Sequence, residues 1–438
     1  MFDLSLVAVV AASVGALFAV WILLDWRRGI YVIAVALPFE ALVAAVIPTL
    51  VKLVGAASVL GFVGSAALHP RLRRTLSTAL RQPTVLWLLA FTAWVAASSL
   101  WAQVPGASLV DASTFIFLLA FVVMTACLRK ADVFRGCRLF ISSAAISVAV
   151  AASPILGSQA PRGVRLTVQG EDPNYWALVL LTAASVAAFG LAGRWRLAVV
   201  PILTLGILGS SSRGALVAAA AMIVAMLAAA SIGWLGRRAG WRILAASGVL
   251  LPSVILGLIC LLALPAVRLA FQTRVQEVNL ATDRTYQQRV KYWRTGGDLF
   301  VAHPLAGIGA ANFKFANEHA SNTRISAHNM WLETAAELGV VGVLLFGGFV
   351  VSSLRRAAWV GRAEDLGIGL LAGLLAWCAG GLSLSLSYQK TPFFVVGSVL
   401  ALHRNRPAPT AGSMLGFGAR RRRSDTPMAW VQEGSTSS

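Results

Sequence analysis

The chain has 438 residues, of which 58% are hydrophobic and only 12% are charged, and its mean hydropathy is +0.76. Soluble globular domains carry roughly a quarter charged residues, so this composition excludes a soluble protein and predicts an all-α polytopic membrane protein. The formal net charge of +20 is not taken as a nucleic-acid signal, because the arginines and lysines cluster in short connections between apolar segments.

Apolar runs that approach or exceed the length of a membrane-spanning helix recur from end to end, and they predict about 12–13 transmembrane helices. The predicted spans lie near residues 4–24, 30–49, 52–68, 84–101, 109–128, 139–157, 174–192, 197–210, 214–235, 243–264, 328–351, 366–387 and 392–402. Because the first run is one of many, it is interpreted as a span and not as a cleaved signal peptide. Basic clusters fall in every second connection, which is the pattern of cytoplasmic loops.

This pattern divides the chain into four regions. Transmembrane helices 1–10 occupy residues 1–264, and a large extracytoplasmic loop occupies residues 265–327. The C-terminal transmembrane helices follow in residues 328–402, and residues 403–438 form a basic tail that we expect to be disordered and cytoplasmic. Anionic lipid would attract such a tail.

The large loop carries eight basic residues against four acidic ones, and an anionic ligand would explain this excess. The alternative is a solvated loop of ordinary charge. Apolar and aromatic residues at helical spacing predict an amphipathic helix from about Asp283 to Val301 at the membrane surface. Arg289 lies one turn before Trp293 on the same face, where its planar guanidinium could hold phosphate oxygens.

The segment that leads from this loop into the next span contains a histidine and, deeper, a carboxylate. Ser326 is a plausible N-cap, which would put His328 in the first helical turn, where an imidazole can accept or position a proton near neutral pH. An interfacial histidine bound to the backbone is the alternative. Glu337 follows nine residues later, and a buried carboxylate there needs a cation, for which Arg213 is a candidate.

Arg213 itself lies between two apolar runs, residues 197–208 and 215–230. An ion at the edge of a bilayer requires a partner or a cavity, which makes Arg213 a functional candidate. The alternative is an arginine that extends from a helix end to the lipid headgroups. Arg162 and Arg165, in a shorter outer loop, would add positive charge to the same membrane face, unless they are only solvated loop residues.

Taken together, several short motifs resemble the O-antigen ligase and O-antigen polymerase superfamily of bacterial envelope polysaccharide assembly. The resemblance is densest over residues 284–345, looser from 165 to 220, and limited to the polytopic pattern over the first 150 residues. The motifs are Asp172-Pro173-Asn174, Ser210-(x2)-Arg213-Gly214, Arg289-(x3)-Trp293, Pro304-Leu305-Ala306-Gly307-Ile308-Gly309, His328-Asn329-(x2)-Leu332 and Glu337-Leu338-Gly339.

The resemblance implies a GT-C-like membrane glycosyltransferase that needs neither metal nor other cofactor and acts at the extracytoplasmic, or periplasmic, face of the bacterial inner membrane. Its donor would be a glycan on undecaprenyl diphosphate, and its acceptor a sugar hydroxyl on the lipid A core, for a ligase, or on a growing glycan, for a polymerase. The motifs do not separate these two reactions. Membrane lipids are the other expected partners, and no nucleic acid is expected.

The same resemblance suggests roles for individual residues. Arg213 and Arg289 would bind the diphosphate leaving group, and His328 would orient or deprotonate the acceptor hydroxyl; these three are the catalytic candidates. The candidates for substrate binding are Arg213, Arg289, Arg294, Arg162, Arg165, Asn329 and Glu337.

A transporter or flippase for lipid-linked sugars is the alternative class, since it would also use many helices and cationic cavity residues. Two features disfavour it: the charge is concentrated in one outer loop, and no pair of interrupted helices in matching halves is evident. A receptor or scaffold has the weakest support, because it does not require an arginine within the membrane.

Overall fold

In the computed structural model the described residues are 4–46, 50–156, 165–233, 235, 240–243, 248, 252–257, 259, 284–321 and 324–405. Within those ranges the chain is helical and contains no strand, which confirms the predicted all-α class. The helices of the first half are α1 (Leu4–Leu24), α2 (Arg27–Ala36), α3 (Glu40–Val46), α4 (Leu50–Leu68), α5 (Pro70–Leu80), α6 (Pro83–Ala97), α7 (Pro105–Ala126) and α8 (Lys130–Leu156).

The second half contains the helices that build the candidate site. They are α9 (Pro173–Gly190), α10 (Gly193–Gly209), α11 (Arg213–Ser231), α12 (Arg284–Ala302), α13 (Phe313–Ser321), α14 (Met330–Gly361), α15 (Asp365–Gly380) and α16 (Lys390–Arg404). The amphipathic helix predicted from about Asp283 to Val301 is α12, so its boundaries are confirmed to within a residue. The short helices α5 and α13 were not predicted.

Eight segments in the described ranges are long and apolar enough to cross a membrane. They are Arg27–Val46, Leu50–Leu68, Pro83–Leu100, Pro105–Ala126, Lys130–Pro154, Pro173–Gly190, Arg213–Ser231 and Met330–Gly361. This number is lower than the 12–13 predicted. The reason is that several apolar helices, α15 among them, are shorter than 18 residues, and most of the predicted span 243–264 lies outside the described residues.

Helices α9 and α15 form the centre of the bundle and pack directly against each other. Most residues of both helices are buried. Small residues permit this close approach: a Cβ atom at Gly369 would lie 2.7 Å from the backbone oxygen of Ser185.

The basic connections meet at one end of the bundle, as their predicted common side requires. Arg27, at the start of α2, forms an ion pair with Asp132, at the start of α8, with 3.4 Å between Nη1 and Oδ2. Lys130 forms another with Glu364, which precedes α15. The first residues of α9, α11 and α14 lie at the opposite end of the bundle. The last residue of α9, Gly190, faces Leu366 at the start of α15, whereas Gly214 and Met330 contact Ser383 and Gly381, which follow the end of α15.

The long helix α14 is interrupted at Gly339, which has a positive φ of 65° and ψ of −166°. An interruption leaves backbone groups without helical partners, and the loop after α12 supplies them. The amides of Ile308 and Gly309 donate to the oxygens of Ala336 and Glu337, at 3.1 and 2.8 Å, and the Val340 amide donates to Pro304 at 2.8 Å. The kink therefore fixes the Pro304–Gly309 turn against the end of the bundle.

Glycine is required at this contact, and we expect Gly339→Ala to destabilise the protein by roughly 2 kcal/mol or more. A Cβ atom there would lie 2.2 Å from the oxygen of Leu305 in a backbone conformation that L residues rarely adopt. Thermal unfolding of the detergent-solubilised protein measures the effect. Gly347→Ala on the same helix is the control, because its Cβ would meet no atom of the described residues within 4 Å. Equal unfolding temperatures for the two variants would contradict the role of the kink.

Candidate active site

The candidate site is built from four segments that meet at the end of the bundle away from the basic connections. They are the first turn of α9, the connection between α10 and α11, helix α12, and the segment that leads into α14. All six recurrent sequence motifs lie in or next to these segments.

Asn174 ties the first two segments together. Asp172 is the N-cap of α9, as its place before Pro173 predicted, and its carboxylate accepts from the amides of Asn174 and Tyr175. The side-chain oxygen of Asn174 then accepts from Arg165 Nη2 and from Ser212 Oγ, both at 2.9 Å. The start of α11 is therefore held at a fixed position beside the start of α9.

Arg165 reinforces this arrangement from its loop. Its Nε donates to the backbone oxygen of Ser210 at 2.7 Å, in addition to its bond with Asn174. These contacts give Arg165 a structural role at the site edge. Arg162, predicted beside it, lies outside the described residues.

Arg213 is the first residue of α11 and is half-buried. Its preceding residue, Ser212, is the N-cap and accepts from the Ala215 amide at 3.2 Å. Ser210, Ser211 and Ser212 are all buried, and Ser211 has a positive φ of 51°. The serines of this motif therefore shape the turn that places Arg213 at the same end of the bundle as His328.

The structure corrects the position of His328. Asn329, not Ser326, is the N-cap of α14, and its side chain accepts from the amides of Trp331 and Leu332. His328 consequently precedes the helix, in a bend where its φ of 49° lies in the left-handed region. The amide of Met330 donates to the oxygens of Gly381 and Leu384, at 2.7 and 3.1 Å, so tertiary contacts decide where α14 begins.

The imidazole of His328 is half-buried, and its Nδ1 is buried without a hydrogen-bond partner among the described residues. Burial lowers the pKa of His328 below its ordinary value of 6.5, and the nearby Arg289 cation lowers it further, whereas Asp172 acts in the opposite direction. The ring is therefore neutral at pH 7 and able to accept a proton.

Arg289 is half-buried on α12, which carries it to the site. Trp293, one turn later, donates from Nε1 to the backbone oxygen of Ala327 at 3.1 Å, directly before His328. The ring of Tyr286 packs edge-on against Trp293, with centroids 6.3 Å apart. The two residues of the motif Arg289-(x3)-Trp293 thus have different roles. Trp293 attaches α12 to the segment before α14, and Arg289 lies close enough to His328 to lower its pKa.

Of the other predicted residues, Glu337 has structural contacts. Both carboxylate oxygens of Glu337 accept from backbone amides, Oε2 from Ala311 and Oε1 from Phe313, each at 2.9 Å. These bonds stabilise the start of α13, and the pairing of Glu337 with Arg213 stays a prediction. Arg294, by contrast, is exposed on α12, on a different face from Arg289.

The sequence did not predict a set of hydrogen bonds near the start of α14 that joins Tyr175, Ser385 and Glu333. The hydroxyl of Ser385 donates to the carboxylate of Glu333, one turn into α14, and the Ser385 backbone oxygen accepts from the Tyr175 hydroxyl at 2.9 Å. This link joins α9, α14 and the segment between α15 and α16. Glu333 could have been noticed as a second carboxylate in an apolar span, but nothing in the sequence indicated its partner.

Among the described residues, no group of three or more histidine, cysteine, aspartate or glutamate side chains is placed to hold a metal ion. The polar groups that converge on this end of the bundle are cations, an imidazole, hydroxyls, amides and three carboxylates. The carboxylates of Asp172, Glu333 and Glu337 accept hydrogen bonds from backbone amides or a serine hydroxyl. Such a set suits an anionic ligand that reacts by proton transfer.

One comparison with known proteins gives a match. Residues 197–347 match a family model described as O-Antigen ligase, which confirms the resemblance found in the motifs. The matched segment contains Arg213, Arg289 and His328, whereas Arg165 and Asp172 lie before it. No curated protein matches the chain significantly.

Proposed function

We propose that this membrane protein of the O-antigen ligase type transfers a glycan from undecaprenyl diphosphate to a sugar hydroxyl, as a ligase or a polymerase. One observation carries the proposal: a neutral, half-buried histidine lies beside a half-buried arginine at one end of an apolar helical bundle, inside the segment that matches the family.

The reaction requires a base that removes a proton and cations that stabilise the negative charge of the leaving group. The acceptor oxygen attacks the anomeric carbon, a new glycosidic bond forms, and the bond between that carbon and the diphosphate oxygen breaks. In the proposal His328 takes the proton of the acceptor hydroxyl, and undecaprenyl diphosphate departs with the bonding electron pair.

Negative charge grows on the departing diphosphate in the transition state, so preorganised cations stabilise that state more than the bound donor. We assign this role first to Arg289, which acts electrostatically on His328, and second to Arg213, which Ser212 and Asn174 hold at the same end. Two guanidinium groups supply the charge stabilisation that a divalent metal provides in other transferases. We therefore expect transfer without added metal.

The location of the site supports an extracytoplasmic reaction at the inner membrane. The basic connections, which the positive-inside rule places in the cytoplasm, are joined to one another at the other end of the bundle. Arg294, exposed on α12, and the side-chain amide of Asn329 remain candidates for contacts with the glycan.

The proposal is tested with purified protein in liposomes that contain a lipid-linked glycan donor, in EDTA. Lipid A core and a second lipid-linked repeat are offered as acceptors in separate reactions. We expect a longer glycan product with one of them, which also separates ligase from polymerase. If neither acceptor is extended while labelled donor crosses the bilayer, the transporter alternative is correct.

A pH prediction follows from the charges around His328. Asp172 raises the pKa of His328, so its removal lowers that pKa, and the neutral base persists to lower pH. Asp172→Asn should therefore shift the acid limb of the rate-versus-pH profile to lower pH. Asparagine is an equally good N-cap, so the start of α9 is preserved.

The matched control is Asp298→Asn, which removes an exposed carboxylate from α12. Its acid limb should coincide with that of the unaltered protein. A shift to higher pH in Asp172→Asn, or equal shifts in the two variants, would contradict the assignment of His328 as the base.

A further inference from the structure

A cationic cavity lies at the other end of the bundle, where the basic connections meet. Its volume is about 630 Å³, and three helix junctions that are distant in sequence line it. They are the α1–α2 turn, the α4–α5 junction and the α7–α8 junction. The charged lining residues are Asp25, Arg27, Arg28, Arg71, Arg129 and Asp132.

The two carboxylates of this cavity are already occupied. Asp25 receives a two-pronged bond from Arg27, with Nε–Oδ1 and Nη2–Oδ2 distances of 2.8 and 2.9 Å. Asp132 accepts from Arg27 and from the Tyr31 hydroxyl, at 3.4 and 2.9 Å. One arginine thus neutralises much of the acidic charge, and the remaining arginines leave the cavity cationic.

Arg71 and Arg129 are exposed, and neither forms an ion pair with the part of the chain that the structure describes. They approach the cavity from different junctions, Arg71 from the first turn of α5 and Arg129 from the turn before α8. Two such guanidinium groups can bind one phosphate from two sides.

The depth of the cavity matches that of lipid headgroups. Arg28 donates from Nη1 to the oxygen of Trp21 at 2.8 Å, and its guanidinium lies 4.9 Å from the Trp21 ring centroid. Trp21 is 43% exposed in the last turn of the apolar helix α1, and exposed tryptophans at helix ends are typical of the membrane–water interface. Basic pockets between helices at this depth bind anionic headgroups.

We propose that this cavity binds the phosphate of an anionic phospholipid headgroup, with Arg71 and Arg129 as its principal ligands. The site is separate from the candidate active site and does not depend on the proposed transferase activity. It would attach the short helix α5 and the α7–α8 turn to the membrane surface.

The test is the thermal stability of detergent-solubilised protein titrated with dioctanoyl phosphatidylglycerol. We expect saturable stabilisation of the unaltered protein. The double variant Arg71→Ala/Arg129→Ala should bind the lipid more weakly, so its half-saturating concentration should rise on the order of tenfold. The control, Arg74→Ala/Arg81→Ala, removes two exposed arginines of the same basic surface that do not line the cavity, and should titrate as the unaltered protein does.

Two further ligands identify the source of the phosphate. Dioctanoyl phosphatidylcholine should stabilise weakly, because its choline group neutralises the phosphate, and inorganic phosphate should require far higher concentrations. Equal titrations for the two double variants would overturn the assignment to the cavity. Equal effects of phosphatidylcholine, or of inorganic phosphate at the same concentration, would overturn the assignment to an anionic lipid.

Discussion

His328→Ala is expected to reduce the turnover number of glycan transfer by roughly 10²–10⁴-fold, the usual contribution of a positioned general base. The reason is that the imidazole is neutral at pH 7, because burial and the Arg289 cation lower its pKa. Its Nδ1, buried and without a hydrogen-bond partner in the described ranges, is available for a substrate group. Donor binding should change little, because the role of His328 concerns the acceptor proton.

The measurement is the steady-state rate of glycan transfer in liposomes, with the binding of labelled donor as a separate readout. His319→Ala is the matched control, because this histidine is exposed on α13 and should tolerate the change. If His328→Ala retained full turnover while folded, the base would have to be another group. Equal losses in both histidine variants would indicate a structural effect.

Arg289→Ala is expected to reduce kcat/KM by roughly 10²–10³-fold, the magnitude typical for loss of one preorganised charge-stabilising group. Arg289 is half-buried, where a cation acts more strongly on a developing negative charge than it does in water. Arg289→Lys should recover only part of the rate, because an ammonium group lacks the planar pair of donors that matches a phosphate.

A second readout distinguishes this role from a merely structural one. Arg289 lowers the pKa of His328, so the residual activity of Arg289→Ala should show its acid limb at higher pH than the unaltered protein. Lys291→Ala is the control, since it removes an exposed cation from the same helix. An unchanged acid limb in Arg289→Ala would show that the two side chains do not interact in the working enzyme.

Elements whose structure depends on a local sequence pattern could be predicted from the sequence. Helix α12 was predicted because its apolar and aromatic residues recur at helical spacing, and α9 because Asp172-Pro173 is a strong start signal. The amphipathic helix α5 has the same kind of signal, with Pro70 as its first residue and Leu72 and Leu76 one turn apart. It was missed because its arginines were interpreted only as topology markers.

Features that depend on distant contacts could not be predicted. The residues around Gly339 read as continuous apolar helix, and the interruption exists because the Pro304–Gly309 turn bonds to the carbonyls of Ala336 and Glu337. Ser326 was predicted as the N-cap of α14, but the bonds from Met330 to Gly381 and Leu384 fix the start of the helix so that Asn329 is the N-cap.

Most of the site motifs therefore specify backbone position, and only a few of their members specify chemistry. Asp172, Ser212 and Asn329 cap helices, and Gly339 permits the contact between α14 and the Pro304–Gly309 turn. Local sequence alone cannot separate these roles, because caps and catalytic groups use the same polar residue types. The hydrogen-bond partners of each residue distinguish helix caps from catalytic groups, and tertiary packing determines those partners.

We propose that His328 and Arg289 together catalyse glycan transfer from a lipid diphosphate. The most direct test measures the release of undecaprenyl diphosphate and the elongation of the acceptor simultaneously, with purified protein in EDTA. The unaltered protein should release and elongate in equimolar amounts, and His328→Ala and Arg289→Ala should lose both activities. Equimolar turnover that persists in both folded variants would contradict it.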